Sequence, residues 1–133
     1  MSFQFPIRVY YEDTDAGGIV YHANYLNFCE RARTEYLRYL GIEQDRYLKQ
    51  NIAFVVKTME IDFRHAARFN EMLTVETNIV RLKRASVEFL QQVINENEQL
   101  VFVAKVQVAC INSSVMKPMA IPADILEVLQ SAS

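Results

Sequence analysis

The most constraining feature of this chain is where its hydrophobic period changes. Only one long segment carries apolar residues at three- and four-residue spacing. It comprises Leu26, Cys29, Ala32, Tyr36, Leu37 and Leu40, the stripe of a single helical face. From Ile52 onward the period becomes two. Met59, Ile61 and Phe63 alternate with Glu60, Asp62 and Arg64, and Leu73, Val75, Thr77 and Ile79 with Thr74, Glu76 and Asn78. Two further runs follow, Ala85, Val87, Phe89, Gln91, Val93 and then Leu100, Phe102, Ala104, Val106, Val108, Cys110. Before the helix, Ile7, Val9 and Tyr11 alternate with Arg8, Tyr10 and Glu12 to give a half-buried strand. The pattern is therefore one strand, one long helix and four strands in meander, antiparallel because short loops join them. A single helix cannot cover both faces of a five-stranded sheet. The expected α+β solution is a sheet wrapped around the helix, with spare apolar and edge surface left for association.

Local punctuation agrees. Gly41 is placed to end the helix, and Glu43 to Gln50 reads as a short second helical piece. Asn95-Glu96-Asn97-Glu98 has the composition of a hairpin loop. Pro118 and Pro122 close the sheet region, and Pro122 can open a final helix over Ala123 to Leu129. The charges Glu30, Arg31, Arg33, Glu35 and Arg38 fall mostly away from the apolar stripe, with Arg31–Glu35 and Glu35–Arg38 at pairing distance.

No repeat, linker or low-complexity tract divides the 133 residues, so residues 1–133 are expected to form one domain. An apolar fraction of 51% suffices for one core. A net charge of −2 with both signs scattered argues against a nucleic-acid binder, which carries a basic stripe. No signal-peptide h-region and no membrane-length apolar run is present, so a soluble cytoplasmic protein is expected. Cys29 and Cys110 sit in apolar periodic segments and read as buried free thiols. No His/Cys/Asp spacing resembles a zinc site, and no glycine-rich phosphate loop or nucleophile elbow occurs. His65 reads as a structural or surface histidine.

The stretch able to carry chemistry is Val9 to Leu40. A strand leads into an acidic turn with Asp13 and Asp15, then Gly17 and Gly18, and a helix starts between Tyr21 and Tyr25. A carboxylate facing a helix N-terminus suits attack on a carbonyl. The acid attacks or activates water, and free N–H groups at the helix start hold the oxyanion. The residues alone also allow Asp15 to be a turn aspartate bonding its own backbone. Asp13 reads as a turn-shaping residue.

This stretch carries a resemblance. Arg8-Val9, Thr14-Asp15, Gly18-Ile19-Val20-Tyr21 and Asn24-Tyr25, at their spacings, resemble the signature of the 4-hydroxybenzoyl-CoA thioesterase family. The run YYEDTDAGGIVYHANY, with Ala53-Phe54-Val55-Val56 and Met116-Lys117-Pro118, is similar to its bacterial YbgC branch, associated with the Tol–Pal envelope system. The similarity extends from Phe5 to about Pro122. It implies a hot-dog fold, assembly as a homodimer or homotetramer, and hydrolysis of acyl-CoA to free acid and CoA with no cofactor beyond the coenzyme A of the substrate.

By the resemblance, Asp15 is the catalytic carboxylate, either nucleophile or general base. The His22 position supplies a backbone N–H to the thioester oxygen, and its imidazole could instead orient water or protonate the thiolate. Gly17, Gly18 and Tyr21 shape the oxyanion turn. Lys83, Arg84 and Ser86 correspond to a region that touches the nucleotide of coenzyme A, although a solvated hairpin tip reads equally well there; Lys57 and Lys117 are weaker candidates. Glu30, where another hot-dog branch carries its catalytic acid, reads as an exposed or pairing residue. His22-Ala23 matches the YbgC branch and favours aliphatic or broad acyl groups. Two alternatives compete. One is a dehydratase or hydratase, although the His-Phe-Pro-Gly run of that branch is absent. The other is a non-catalytic module binding acyl groups, acyl carrier protein or phospholipid-synthesis enzymes.

Overall fold

The computed structural model describes residues 2–133. Its elements are β1 (Phe3–Arg8), a 3-10 turn (Tyr11–Asp13), α1 (Asn24–Tyr39), α2 (Gln44–Leu48), β2 (Ile52–Phe63), β3 (Met72–Leu82), β4 (Ser86–Ile94), β5 (Leu100–Asn112), β6 (Lys117–Pro118) and α3 (Ala123–Ala132). The expected α+β architecture is present, with one long helix on the concave side of an antiparallel sheet. Strand order is β1-β3-β4-β5-β2, and the two-residue β6 adds to β5.

The order corrects the four-strand meander. β3, β4 and β5 do follow one another, but β2 pairs with β5 and forms the edge opposite β1. Periodicity assigns a strand its inward face and says nothing about its neighbour. Residues 64–71 are a crossover, and they carry the chain from the edge strand β2 to β3, next to the opposite edge.

The inward faces of the middle strands fill the core. Leu73, Val75, Val93, Phe89 and Phe102 pack with Phe28 and Tyr36 of α1, all essentially without solvent contact. Each such side chain contributes about 1.5–3 kcal/mol of burial. Tyr25 stacks on Phe102 with ring centroids 5.0 Å apart. α1 ends in a Schellman motif. Gly41 takes φ +85° and donates to the Arg38 carbonyl, and Ile42 donates to that of Leu37. α2 is shorter than the Glu43–Gln50 expected, and α3 runs three residues past Leu129 to Ala132.

Two side-chain expectations change. Arg33 is buried rather than turned to solvent. Its Nη1 donates to Gln91 Oε1 at 2.8 Å and its Nη2 pairs with Glu30 at 3.3 Å. Gln91 in turn donates to the Cys29 carbonyl and to Thr77 Oγ1, so this polar group in the core is satisfied. Burial pulls the Arg33 pKa below its ordinary value, and the Glu30 carboxylate partly restores it. Glu35 pairs with Arg38 as expected, whereas Arg31 lies over the Phe28 ring. Cys29 and Cys110 are buried free thiols, as read from the sequence, and burial pushes Cys29 up to about 12.

β2 is the exception to the packed interior. Ile61 and Phe63 pair with the inward positions Ala104 and Phe102, yet they are 43% and 49% exposed. α1 lies against β1 and β3 and leaves the concave face of β2 half bare. Among the described residues no helix is long and apolar enough to cross a membrane.

Candidate active site

The chain leaves β1 at Arg8 and is redirected at once by the 3-10 turn. Asp13 anchors the redirection. It is 6% exposed, its Oδ2 accepts the Tyr10 N–H at 2.7 Å, and its Oδ1 accepts the Asn24 side-chain amide at 2.7 Å. The following residues fold back on themselves. Thr14 bridges Val20, the Asp15 N–H donates to the Ile19 carbonyl, and the Gly18 N–H donates to the Asp15 carbonyl. Gly18 sits at φ +78°, a left-handed conformation that glycine adopts without steric cost. Gly17 brings its backbone close to the Asp15 side chain. Its N–H donates to Asp15 Oδ1 at 2.8 Å, and a Cβ there would stand 3.2 Å from that same oxygen. The Asp15 carboxylate is exposed and makes this one hydrogen bond. It is therefore a turn aspartate in geometry, with its second oxygen open to solvent.

The loop docks on the crossover. Val20 donates to the Ala67 carbonyl and Ile19 bridges Arg68. Ala67 donates to the Tyr25 hydroxyl at 3.2 Å, which ties the crossover to α1. Burial, the leading effect, raises the Tyr25 phenol pKa, so this hydroxyl stays protonated at neutral pH.

α1 opens at Asn24 with Ala23 as its N-cap and no side-chain cap. Asn24 donates to the Tyr21 carbonyl and Tyr21 to the Asp13 carbonyl. The N–H groups of His22 and Ala23 have no intrachain acceptor among the described residues. They sit at the positive end of a 16-residue helix. The His22 imidazole is exposed, against the Tyr21 ring at 4.5 Å and edge-on to Phe63 at 6.4 Å.

One chain thus gathers Asp15, Gly17, Gly18, Tyr21 and His22 into a single loop-and-helix unit. It does not gather Lys83, Arg84 and Ser86 with them. Those three lie on the β3–β4 hairpin, where Lys83 donates to the Ser86 carbonyl. β3 starts beside the acidic turn, with Val9 bonded to Glu71 and Arg8 opposite Met72, and it ends at this hairpin. Its 11 residues, at about 3.3 Å each, put roughly 30 Å between the two groups. His65 is exposed at the crossover, with its N–H on the Val101 carbonyl.

Further along α1 lies a cavity of about 270 Å³, lined chiefly by Leu37, Phe54, Val56, Phe89 and Val108, with Arg33 and Glu30 among its walls. Arg33 is ten residues beyond the helix cap, about 15 Å along the axis. Two features escaped the sequence reading. The Asp13–Asn24 bond had no signal beyond two polar residues eleven apart. The Arg33–Gln91 contact did have one, since Gln91 interrupts an otherwise apolar inward face.

The chain matches the family model of the Thioesterase-like superfamily over residues 9–129. It is 51% identical to the acyl-CoA thioesterase YbgC of Haemophilus influenzae, over 93% of this chain and 91% of that protein. It is 44% identical to the acyl-CoA thioester hydrolase YbgC of Escherichia coli, over 93% and 92%. Among solved structures, a probable thioesterase from Bartonella henselae superposes with TM-score 0.85 at 38% identity, covering 92% of this chain and all (100%) of that one. The DHNA-CoA thioesterase from Staphylococcus aureus has TM-score 0.93 at 24% identity, covering 98% and 89%, a likeness of fold.

Proposed function

The chain belongs to the Thioesterase-like superfamily, and from that premise we propose that it hydrolyses acyl-CoA thioesters to a free acid and coenzyme A. The observation that carries the reading is the Asp15 turn set against the start of α1, where the His22 and Ala23 N–H groups have no intrachain acceptor among the described residues. The thioester oxygen lies on those N–H groups, with the His22 N–H as the principal donor. The open oxygen of Asp15 faces the carbonyl carbon. Asp15 takes a proton from water as the hydroxide attacks, or attacks directly to give a mixed anhydride that water then cleaves. In both routes the oxyanion collapses, the C–S bond breaks, and the thiolate leaves and is protonated. Each well-aimed donor lowers such a barrier by roughly 3–4 kcal/mol.

No cofactor takes part beyond the coenzyme A of the substrate. The protein acts as one domain in the cytoplasm. A separation of roughly 30 Å exceeds the pantetheine arm between thioester and nucleotide, so Lys83, Arg84 and Ser86 meet the nucleotide phosphates from a second copy of the chain. The half-bare β2 edge supports assembly of a homodimer or larger homo-oligomer. Aliphatic acyl groups fit the apolar cavity along α1.

The test is thiol release from acyl-CoAs of graded chain length by the wild type and by Asp15→Asn. Single turnover in ¹⁸O-water tests the anhydride route, because label in Asp15 requires an anhydride that water cleaves at the Asp15 carbonyl, whereas general-base attack labels only the product acid. Failure of every acyl-CoA to release thiol would overturn the hydrolase reading and favour a binding module.

A further inference from the structure

The catalytic geometry has two halves, the Asp15 turn and the first N–H groups before α1. The Asp15 side chain bonds only within its own turn, through Gly17, so it does not itself fix the distance between the halves. Asp13 does touch both. Its N–H donates to the Tyr10 carbonyl and its Oδ2 accepts the Tyr10 N–H, which ties it to the exit of β1. Its carbonyl accepts the Tyr21 N–H, next to His22, and its Oδ1 accepts from Asn24, the first residue of α1. Asn24 Oδ1 accepts in turn from the Asn27 amide at 2.7 Å, so the chain of bonds continues into the first turn of the helix. Asp13 is buried, and both carboxylate oxygens are taken up by donors of this chain. It is not available to a substrate.

We propose that Asp13 is a positioning residue that clasps the helix N-terminus to the catalytic turn and so sets Asp15 against the oxyanion donors. The proposal rests on the hydrolase reading above. The donor pattern makes it specific. Two N–H donors, from Tyr10 and Asn24, converge on two acceptor oxygens. An amide at position 13 offers one acceptor and one donor, and its donor then faces the Asn24 amide N–H, a clash relieved only when the Asn24 and Asn27 amides both turn over. Exchanging the two side chains restores every bond. The amide now at position 13 accepts from Tyr10 and donates to the carboxylate now at position 24, which still accepts from Asn27. The carboxylate moves across the clasp without changing its total charge.

The experiment is steady-state kinetics with one acyl-CoA substrate on Asp13→Asn, Asn24→Asp, Asn24→Ala and the double variant Asp13→Asn/Asn24→Asp, with thermal melting of each. Misplacement by about 1 Å costs about 10²-fold in rate. Asn24→Asp and Asn24→Ala should therefore lose about 10- to 100-fold in kcat, with KM within about three-fold, since the substrate is still held. The double variant should return to within about five-fold of wild type, a coupling that only neighbouring groups give. Wild-type kcat in Asn24→Ala, which cannot bond Asp13, overturns the proposal. A folded double variant no better than the singles also overturns it, because the carboxylate itself would then be needed at position 13. Should Asp13→Asn fail to fold, Asn24→Ala and the double variant decide. Asp15→Asn, assayed alongside, separates the two claims. An active, folded Asp15→Asn removes the hydrolase mechanism, whereas an inactive Asp15→Asn beside a fully active Asn24→Ala removes only the clasp.

Discussion

Two turns of this chain hold polar residues in front of solvent, and they are built in opposite ways. The turn from Asp13 to Asn24 is dense with internal bonds. Asp13, Asp15, Gly17, Gly18, Val20 and Tyr21 each donate or accept within it or to the crossover behind it. The hairpin at Lys83–Ser86 is also tied by its backbone, with Lys83 donating to the Ser86 carbonyl and the Arg84 and Ala85 carbonyls accepting from Ile121 and Cys110, but its Lys83 and Arg84 side chains are exposed. Bond-making at a carbonyl carbon tolerates errors of fractions of an ångström, so its groups are held by backbone. Attraction between a cation and a phosphate varies slowly with distance, so a mobile side chain serves. The proposed division of labour follows, with chemistry at a turn whose functional groups are held by backbone and capture of the nucleotide at a turn whose cationic side chains are loose.

The comparison breaks first at Asp15. Asp15→Asn should keep its melting temperature and lose at least ~10²-fold in kcat. Near-native turnover in the folded variant would mean that the rigid turn is only architecture. Next is the loose turn. Lys83→Ala with Arg84→Ala should raise KM for acyl-CoA by about ten-fold, the scale of one or two charge-assisted contacts, and leave KM for a pantetheine thioester unchanged. Equal loss on both substrates would place the pair in the fold or the chemistry. On the proposed sharing of sites between two copies, hybrids of this variant with Asp15→Asn should hold one intact site, and their acyl-CoA KM at that site should be native.

A smaller effect sharpens the backbone assignment. His22→Ala keeps its N–H, so kcat should stay within about three-fold of wild type across pH. A fall comparable with Asp15→Asn would move the role to the imidazole. Smallest is a control on the core behind both turns. Cys29 keeps its proton up to about 12 in the folded chain but loses it near 9 when unfolded. The stability it contributes is intact below about 9 and lost as pH rises toward 12. The melting-temperature gap between wild type and Cys29→Ala should therefore narrow above pH 9. An unchanged gap at about pH 10.5 would show a thiol open to solvent.

What the sequence disclosed depends on the range of the interaction. β3, β4 and β5 were legible because alternation is local and their inward residues are all buried. Gly41 was legible because a left-handed residue after a helix is a local necessity. The position of β2 was not, since nothing in Ile52–Phe63 names β5 as its neighbour. Arg33 was assigned to solvent because an isolated charge belongs there, and only Gln91, far along the chain, gives it a partner inside. At the site, the turn and the helix start could be read from Asp15, Gly18 and the apolar stripe. The bonds of Asp13 and the distance from Lys83 could not, because both depend on how β1 and β3 are laid side by side.

The two borders of the sheet have a consequence for how copies can accumulate. β1 is short and contains Pro6, which has no N–H to offer an incoming strand. β2 is a 12-residue strand with no proline. Strand addition is thus open on one flank and hindered on the other. A border that can meet only its own kind closes after one union, through a two-fold axis, and cannot propagate into a filament. The proline that interrupts the donors of β1 thus works against open-ended strand addition, and leaves the exposed apolar strand β2 a closed, pairwise union as its favoured outlet.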